Sequence, residues 1–331
     1  MEAPRVLVVT NMYPSESRPY AGIFVQRQVS DLRRAGVPIE VVVIGGERGR
    51  GDYIAARARV RHAVRHFRPA IIHCHYGYTP LAAVRLGVPY LVTLCGDDIN
   101  GAWNGARGST LKSRAGVLVT QWLARGARMV IVKSCAMQQR LWPAARRRSV
   151  LVPNGVDTTV FTPGPRLDPR RRFQVDGPGV VLGFVHSIRQ RTKRLNLATE
   201  VRDELQRRGE QARLLVADRV PPGDMPWFYR ACDCLLLTSE REGAPNCVKE
   251  ALACGVPVVG VPVGDLPELI TNPAMGAVAE ADPRALADAV MQVLAVPRSG
   301  ASLLPASASA GAVAERLVAL YRECVTLSAD A

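Results

Sequence analysis

The sequence predicts an α/β protein of two domains, each with a parallel β-sheet that is covered by helices on both faces. Short apolar runs of strand length alternate with amphipathic stretches of helix length, which is the pattern of βαβ units. This alternation occurs twice along the chain, and the turn sequence Pro153-Asn154-Gly155 separates the two series. A chain of 331 residues is long enough for two domains that each bury a core.

The first series predicts an N-terminal domain of residues 1–153 with five buried strands. These strands are expected at Val6 to Thr10, Ile39 to Ile44, Ala70 to His73, Tyr90 to Leu94 and Met129 to Val132. Amphipathic periodicity predicts helices between them at Phe24 to Ala35 and Tyr53 to Phe67.

The second series predicts a domain of residues 154–310. Its strands are expected at Val180 to Val185, Arg213 to Ala217, Cys234 to Thr238 and Pro257 to Val261, and its helices at Leu195 to Arg208, Cys247 to Cys254 and Arg284 to Leu294. The stretch Pro297 to Gly311 has loop composition. A last amphipathic helix, Ala312 to Val325 within residues 311–331, is expected to pack back on one of the domains, with the N-terminal domain favoured.

The net charge of +14 favours anionic partners such as a nucleotide diphosphate, an acidic acceptor or an anionic membrane face. Only four of the 43 basic residues are lysines, and arginine runs such as 146–148 and 170–172 are equally explained by solvated surfaces. Nucleic acid is disfavoured, because no aromatic-interleaved basic motif or zinc spacing accompanies the charge.

Hydropathy and cysteine usage predict a cytoplasmic protein, with at most a peripheral contact at the inner membrane face. No apolar run reaches the roughly 18 residues of a membrane span. The start of the chain is too short and too strand-like to be the apolar core of a signal peptide. The eight cysteines lie mostly in apolar runs, which favours free buried thiols over disulfides or a zinc site.

The segment from Thr238 to Leu252 carries the most chemical information. It follows a predicted buried strand and begins a helix, at the edge of a parallel sheet where α/β proteins bind ligands. The free N–H groups of a first helical turn favour phosphate oxygens. Glu242 lies in the turn and Glu250 about two helical turns further on, where both carboxylates could accept hydrogen bonds from sugar or ribose hydroxyls. An ordinary capped helix explains the same residue types equally well.

This segment resembles the E-x7-E signature of glycosyltransferase family 4, whose members are retaining enzymes of the GT-B fold. Four other places are similar to the family's motifs in order and spacing: Tyr13-Pro14 with Gly22-Ile23-Phe24-Val25, Ile72-His73-Cys74-His75, Pro153-Asn154-Gly155-Val156-Asp157, and Val263-Gly264-Asp265 with Glu268. The resemblance implies two Rossmann-like domains whose parallel sheets face each other across a cleft.

The resemblance also implies roles for individual residues. Glu250 would bind the ribose diol, Glu242 the donor sugar, and Lys193 the diphosphate. Gly22 would let a loop of the first domain approach the same diphosphate. The sugar and diphosphate would be lined by the main chain of five residues: Gly243, Ala244, Asn246, Cys247 and Val248.

The chain departs from the family pattern at two positions of the site. The family arginine that precedes the lysine is absent where His186-Ser187 stand, so Arg189 or Arg191 would take its place. The family histidine of H-G-x-D is Cys95, which excludes a catalytic imidazole at that position, while Asp98 keeps the acidic one.

His73 and His75 form a separate candidate in the first domain. We expect them to point to opposite faces of their strand, which would prevent them from chelating one metal ion. His75 is the candidate to line the site and to act as a general base.

These observations predict a retaining glycosyltransferase that moves a sugar from a nucleotide-diphosphate sugar, with a UDP-sugar favoured, to a hydroxyl acceptor in glycan or secondary-metabolite biosynthesis. Neither a metal nor another cofactor is expected, because no suitably spaced carboxylate pair is present. A nucleotide-sugar epimerase of the same architecture and a non-catalytic nucleotide-sugar-binding protein are the alternatives. A dinucleotide dehydrogenase is disfavoured, because no G-x-G-x-x-G follows the first strand.

Overall fold

The computed structural model describes residues 3–19, 21–45, 50–101, 110–186 and 191–329. The chain divides into two compact units. The first unit contains Met1–Gly155 and Ala310–Ala331, and the second contains Val156–Ser309. The sequence-based boundaries, after residues 153 and 310, lie within two residues of these positions.

The first unit is built on a parallel sheet with the strand order β2-β1-β3-β4-β5-β6. The strands are β1 (Val6–Thr10), β2 (Ile39–Val43), β3 (Ile71–His75), β4 (Tyr90–Thr93), β5 (Met129–Val132) and β6 (Ser149–Leu151). The prediction ended β3 at His73, which is wrong, because both histidines are buried and pair in the sheet. The edge strand β6 was not predicted, since its three residues are only partly buried.

Helices cover both faces of this sheet, because its central strands are apolar on both sides. The helices are α1 (Ile23–Arg34), α2 (Arg50–Ala55), α3 (Arg57–Phe67), α4 (Asp97–Asn100), α5 (Leu111–Gly126), α6 (Cys135–Gln139) and α7 (Pro143–Arg146). The single helix predicted from Tyr53 to Phe67 is therefore two helices that meet at Ala56.

The second unit repeats this construction around a parallel sheet with the order β11-β10-β9-β7-β8. Its strands are β7 (Val180–Val185), β8 (Ala212–Ala217), β9 (Cys234–Leu237), β10 (Val258–Gly260) and β11 (Gly276–Val278). Its helices are α8 (Leu167–Arg172), α9 (Leu195–Arg207), α10 (Met225–Ala231), α11 (Asn246–Ala253), α12 (Leu266–Leu269) and α13 (Pro283–Leu294). Apolar clusters lie on both faces of this sheet.

The C-terminal helix α14 (Ala310–Ala329) packs on the first unit, although the second unit precedes it in the chain. Val313, Leu317 and Tyr321 are buried in the same apolar cluster as residues of β1, β3 and β5. The Tyr321 hydroxyl also lies 2.7 Å from Nδ1 of the buried His73. No helix within the described residues has the length and apolar character needed to cross a membrane.

Candidate active site

The loop of residues 238–245 connects β9 to α11 at the carboxyl edge of the second sheet. Thr238 and Ser239 are buried at its start, and Pro245 is the residue before the first turn of α11. Pro245, at the N-cap position, makes no side-chain hydrogen bond to this helix end. A helix N-terminus without a side-chain cap offers main-chain N–H donors and a positive dipole end to an anion.

A second segment, residues 191–194, is held against this loop by main-chain and side-chain hydrogen bonds. The Thr238 hydroxyl donates to the main-chain oxygen of Lys193 at 2.8 Å. In return, Arg194 Nε donates to the main-chain oxygen of Thr238 at 2.6 Å. Arg194 has a φ of 52°, in the left-handed region that is unfavourable for residues other than glycine. These contacts stabilise that backbone conformation, which fixes the position of the neighbouring Lys193.

Lys193 and Glu242 form an ion pair at the mouth of the loop. The Nζ–Oε1 distance is 2.5 Å, and both side chains are largely buried. Burial disfavours the charged amine of Lys193, but the charge and hydrogen bond of Glu242 oppose this effect, and the pKa of Lys193 is raised. Burial raises the pKa of the adjacent Cys247 thiol to about 12. At neutral pH the site therefore contains a lysine cation beside a neutral thiol.

Glu250 is oriented by a residue that the sequence analysis did not identify. The Tyr229 hydroxyl of α10 donates to Oε2 of Glu250 at 2.8 Å. Burial, followed by the charge of Glu250, raises the pKa of Tyr229 well above its ordinary value, so the phenol keeps its proton. No sequence motif marks Tyr229, because the contact depends on how α10 packs beside α11.

The loop of residues 263–265, after β10, is the third wall of the site. Gly264 has a φ of 62°, and a Cβ at this position would lie 3.1 Å from Cβ of Glu242 and 3.0 Å from Cδ of Pro245. Asp265 forms an ion pair with Lys249 of α11, with an Nζ–Oδ2 distance of 2.5 Å. This buried pair connects the loop to the helix that carries Glu250.

Gly22 lies in the first unit, at the start of α1. Its φ is 70°, and a Cβ built on it would lie 2.2 Å from the main-chain carbonyl carbon of Met12. Only glycine fits a position with both features, because any side chain would collide with the main chain after β1.

The prediction that His73 and His75 point to opposite faces is wrong. Residues i and i+2 of a strand share one face, and the two imidazole rings stack with centroids 4.1 Å apart. Both ring nitrogens of His73 have hydrogen-bond partners. Nδ1 lies 2.7 Å from the Tyr321 hydroxyl, and Nε2 lies 2.7 Å from the Thr93 hydroxyl. His75 is buried, and its Nδ1 has no hydrogen-bond partner among the described residues. Burial, followed by the charge of Lys133, lowers the pKa of His75 to about 3, so its imidazole is neutral at pH 7.

Asp98 is buried and connects the ends of β3 and β4. Its carboxylate oxygens accept hydrogen bonds from the main-chain N–H groups of Gly77, Cys95 and Gly96 at 2.9 to 3.1 Å. Burial raises the pKa of Asp98 to about 6, and these hydrogen bonds partly oppose the shift. This arrangement is typical of a carboxylate that fixes loop geometry.

The predicted site residues therefore fall into two groups. Lys193, Glu242, Cys247 and Glu250 lie together in the second unit, with Gly243, Ala244, Asn246 and Val248 on the same loop and helix. Gly22, His75 and Asp98 belong to the first unit. Arg189 lies outside the described residues, and Arg191 begins the short 3₁₀ turn that ends at Lys193.

Comparison with known proteins identifies the family on both units. Residues 4–155 match the family model of the glycosyl transferase 4-like domain, and residues 170–295 match that of the glycosyl transferases group 1. A D-inositol 3-phosphate glycosyltransferase of Geodermatophilus obscurus is 30% identical over 283 residues, which cover 72% of this chain and 62% of the relative. The chain spans about three fifths of the length of the first such relatives, 62% and 59%.

Solved structures share the fold along nearly the whole chain. Sucrose-phosphate synthase of Thermosynechococcus elongatus matches with a TM-score of 0.75 at 17% identity, covering 99% of this chain and 100% of that one. HepE of Anabaena, solved in complex with UDP and glucose, matches with a TM-score of 0.64 at 17% identity and the same coverage. With both family models matched in order and the fold shared with these structures, the chain belongs to glycosyltransferase family 4 and has the GT-B fold.

Proposed function

We propose that this chain is a retaining glycosyltransferase that transfers a sugar from a nucleoside diphosphate sugar to a hydroxyl group of an acceptor. Membership of the family supports the reaction class. The observation that carries the proposal is the Lys193–Glu242 pair beside the start of α11. It combines a cation, a carboxylate and helix N–H groups, which are the groups that a diphosphate and an adjacent sugar require.

The diphosphate is proposed to bind at the start of α11. The first-turn N–H groups would donate to its oxygens, and the Lys193 amine would contribute a positive charge. The raised pKa of Lys193 supports this role, because the amine is fully protonated at neutral pH. Arg189 or Arg191 would add a second cation.

The two carboxylates are proposed to bind the two ends of the donor. Glu250, whose orientation is fixed by Tyr229, would accept hydrogen bonds from the ribose diol. Glu242 would accept them from the sugar hydroxyls. When the diphosphate binds, Lys193 would remain between this carboxylate and the phosphate oxygens.

In the proposed transfer, the bond between the anomeric carbon and the diphosphate oxygen breaks, and a bond from that carbon to the acceptor oxygen forms on the same face. The leaving diphosphate takes the bonding electron pair and accepts the proton of the acceptor hydroxyl. Lys193 and the helix N–H groups stabilise the negative charge that grows on the leaving group. Because Lys193, the proposed second cation and the helix N–H groups would compensate the charge of the diphosphate, we propose that the reaction is independent of metal ions.

His75 is proposed to face the acceptor as a neutral hydrogen-bonding group. A pKa near 3 makes it a weak base at neutral pH, which is why the proton is assigned to the leaving phosphate. The acceptor class is proposed to be a glycan precursor or a secondary metabolite.

A UDP-sugar is the favoured donor, and the cytoplasm is the proposed location. HepE was solved with UDP-glucose, whereas starch synthase IV of Arabidopsis thaliana was solved with ADP, so the identity of the nucleotide base is an outcome of the thermal-shift titration below.

Helix α5 supports a peripheral contact with an anionic membrane. The exposed side chains of Leu111, Leu118 and Trp122 form one stripe on this helix, and Arg114 and Arg125 lie beside it.

Thermal-shift titration with a panel of nucleotides and nucleotide sugars tests the donor site. We expect UDP to raise the melting temperature of the wild-type chain and to do so much less in Lys193→Gln. Arg172→Gln is the matched control, because Arg172 is an exposed arginine of the same unit that pairs with Asp224. Equal shifts in the wild type and Lys193→Gln would contradict the proposed diphosphate site.

Product analysis tests the reaction itself. Incubation with the stabilising nucleotide sugar and a set of acceptors should release nucleoside diphosphate only with an acceptor present, and NMR should show a retained anomeric configuration. Isomerisation of the donor without acceptor would indicate an epimerase. An inverted product would contradict the retaining mechanism.

Vesicle sedimentation with anionic lipid, comparing the wild type with Trp122→Gln, tests the membrane contact.

A further inference from the structure

The second unit contains another cavity, at the edge of its sheet opposite to the loop of residues 238–245. Asp233 and Pro257 line it, and they directly precede β9 and β10. It therefore lies at the amino ends of strands whose carboxyl ends carry the candidate active site. Its volume is about 260 Å³, and Arg166, Arg298, Gly255 and Ala301 also line it. This cavity is not used by the proposed transfer reaction.

The cavity contains more positive than negative charge. Asp233 accepts hydrogen bonds from Arg166, from Arg170 Nη2 at 2.5 Å and from the main-chain N–H of Val181 at 2.7 Å, so its carboxylate is already satisfied. Arg298 donates only to neutral main-chain oxygens, those of Cys232 and Asp233, in the hydrogen bonds that the described residues make. The cavity lining thus contains two guanidinium groups, those of Arg166 and Arg298, and one carboxylate.

Two features show that these arginines are not fully satisfied. Arg166 Nε is buried and has no hydrogen-bond partner in the described part of the chain. Arg298 is exposed as a residue, but partial desolvation of its guanidinium group, followed by repulsion from Arg166, lowers its pKa. A buried donor without a partner and two arginines that repel each other are both stabilised by an anion between them.

We propose that this cavity binds the phosphate group of a small molecule. Planar guanidinium groups form paired, charge-assisted hydrogen bonds with phosphate oxygens, and the lining places two of them beside a single carboxylate, so positive charge is in excess. Val293 and Leu294 form an apolar part of the wall. The volume exceeds that of phosphate alone, so the cavity also has room for part of an attached group.

Calorimetric titration with inorganic phosphate, at ionic strength held constant with sodium chloride, tests the proposal on the full chain. We expect the wild type, Lys193→Gln and Arg172→Gln to bind with equal affinity. Arg298→Gln should bind about tenfold more weakly, because it loses a charged phosphate donor. Arg298→Lys keeps the charge and should lose less. Circular dichroism and melting temperature show whether each variant is folded.

Loss of binding in Lys193→Gln with full binding in Arg298→Gln would assign the phosphate to the active site and overturn the proposal. Absence of binding by the wild type up to about 10 mM would overturn it as well. A parallel titration with glucose 6-phosphate distinguishes the source of the phosphate. Tighter binding than inorganic phosphate identifies a phosphorylated small molecule, and equal or weaker binding identifies free phosphate. Both results require the same dependence on Arg298.

Discussion

Breaking the buried ion pair between Lys249 and Asp265 should destabilise the second unit strongly. The Lys249 side chain is 1% exposed and that of Asp265 is 8% exposed, so both charges are removed from water. Beyond the contact between Lys249 Nζ and Asp265 Oδ2, neither Lys249 Nζ nor Asp265 Oδ1 has a hydrogen-bond partner among the described residues. The attraction between the two charges is therefore the main compensation for their desolvation.

Lys249→Met keeps the unbranched side chain and removes the charge. The Asp265 carboxylate would then be buried without a cation, which costs about 3–5 kcal/mol of unfolding free energy. For a unit of this size, such a loss lowers the melting temperature by roughly 6–20 °C. Since the pair connects α11 to the loop beside Glu242, we also expect weaker nucleotide binding.

The double variant Lys249→Met with Asp265→Asn separates the pair from its individual members. Because desolvation offsets most of the attraction within a buried pair, replacing both charges should leave the stability within about 1 kcal/mol of the wild type. Hydrogen exchange of the α11 amides measures the unfolding free energy of the second unit without assuming that both units unfold together. A double variant as unstable as Lys249→Met, or a single variant that loses less than about 1 kcal/mol, would refute this interpretation.

Three further substitutions test the two units separately. Tyr229→Phe removes the donor that orients Glu250, and calorimetry should show nucleotide binding weakened about three- to tenfold; an unchanged Kd would count against this orientation. Gly22→Ala places a Cβ against the main chain of Met12 at a positive φ. Hydrogen exchange of the α1 amides should therefore show that the unfolding free energy falls by more than about 2 kcal/mol. An unchanged unfolding free energy would contradict this close approach of Gly22 to Met12. The pKa of His75 in the folded state, about 3, lies below its ordinary value of 6.5, so its stabilising contribution is complete above pH 6.5 and is lost as the pH falls toward 3. At pH 5 this loss is about 2 kcal/mol, and His75→Gln should reduce the dependence of stability on pH between 7 and 5 by that amount, as measured by exchange in β3.

Local sequence patterns were sufficient to predict the sheets where strands are long and buried. The bounds of β1, β5 and β7 agree with the prediction residue for residue, because each is a continuous apolar run that ends at a polar or turn residue. The strands β6 and β11 were missed. Each has three residues, and neither is buried along its length, so the apolar signal is too short to distinguish them from loops.

The candidate site was predictable as a segment but not as a set of contacts. The motif from Glu242 to Glu250 lies on one loop and one helix, so its spacing determines its geometry. The contacts of Lys193 with Glu242 and of Tyr229 with Glu250 join residues 49 and 21 positions apart. They depend on how separate βα units pack, and no local pattern encodes that packing. The error on the two histidines had a different cause, a misassigned strand face.

The way each charge is compensated distinguishes structural groups from ligand-binding groups in the second unit. Lys249 has one carboxylate partner and almost no contact with water, so its charge serves the fold. Lys193 also has one carboxylate partner, but it lies at a helix N-terminus with 21% of its side chain exposed, where an incoming anion can share it. Arg166 and Arg298 differ from both, because they line a cavity that contains a single carboxylate, that of Asp233, and the buried Nε of Arg166 has no hydrogen-bond partner among the described residues. Arg298 is exposed and Arg166 is partly exposed, so both cations are within reach of an anion that enters the cavity. The partners and exposure of each charge thus assign the Lys249–Asp265 pair to stability, Lys193 to the donor site and the two arginines to a further ligand.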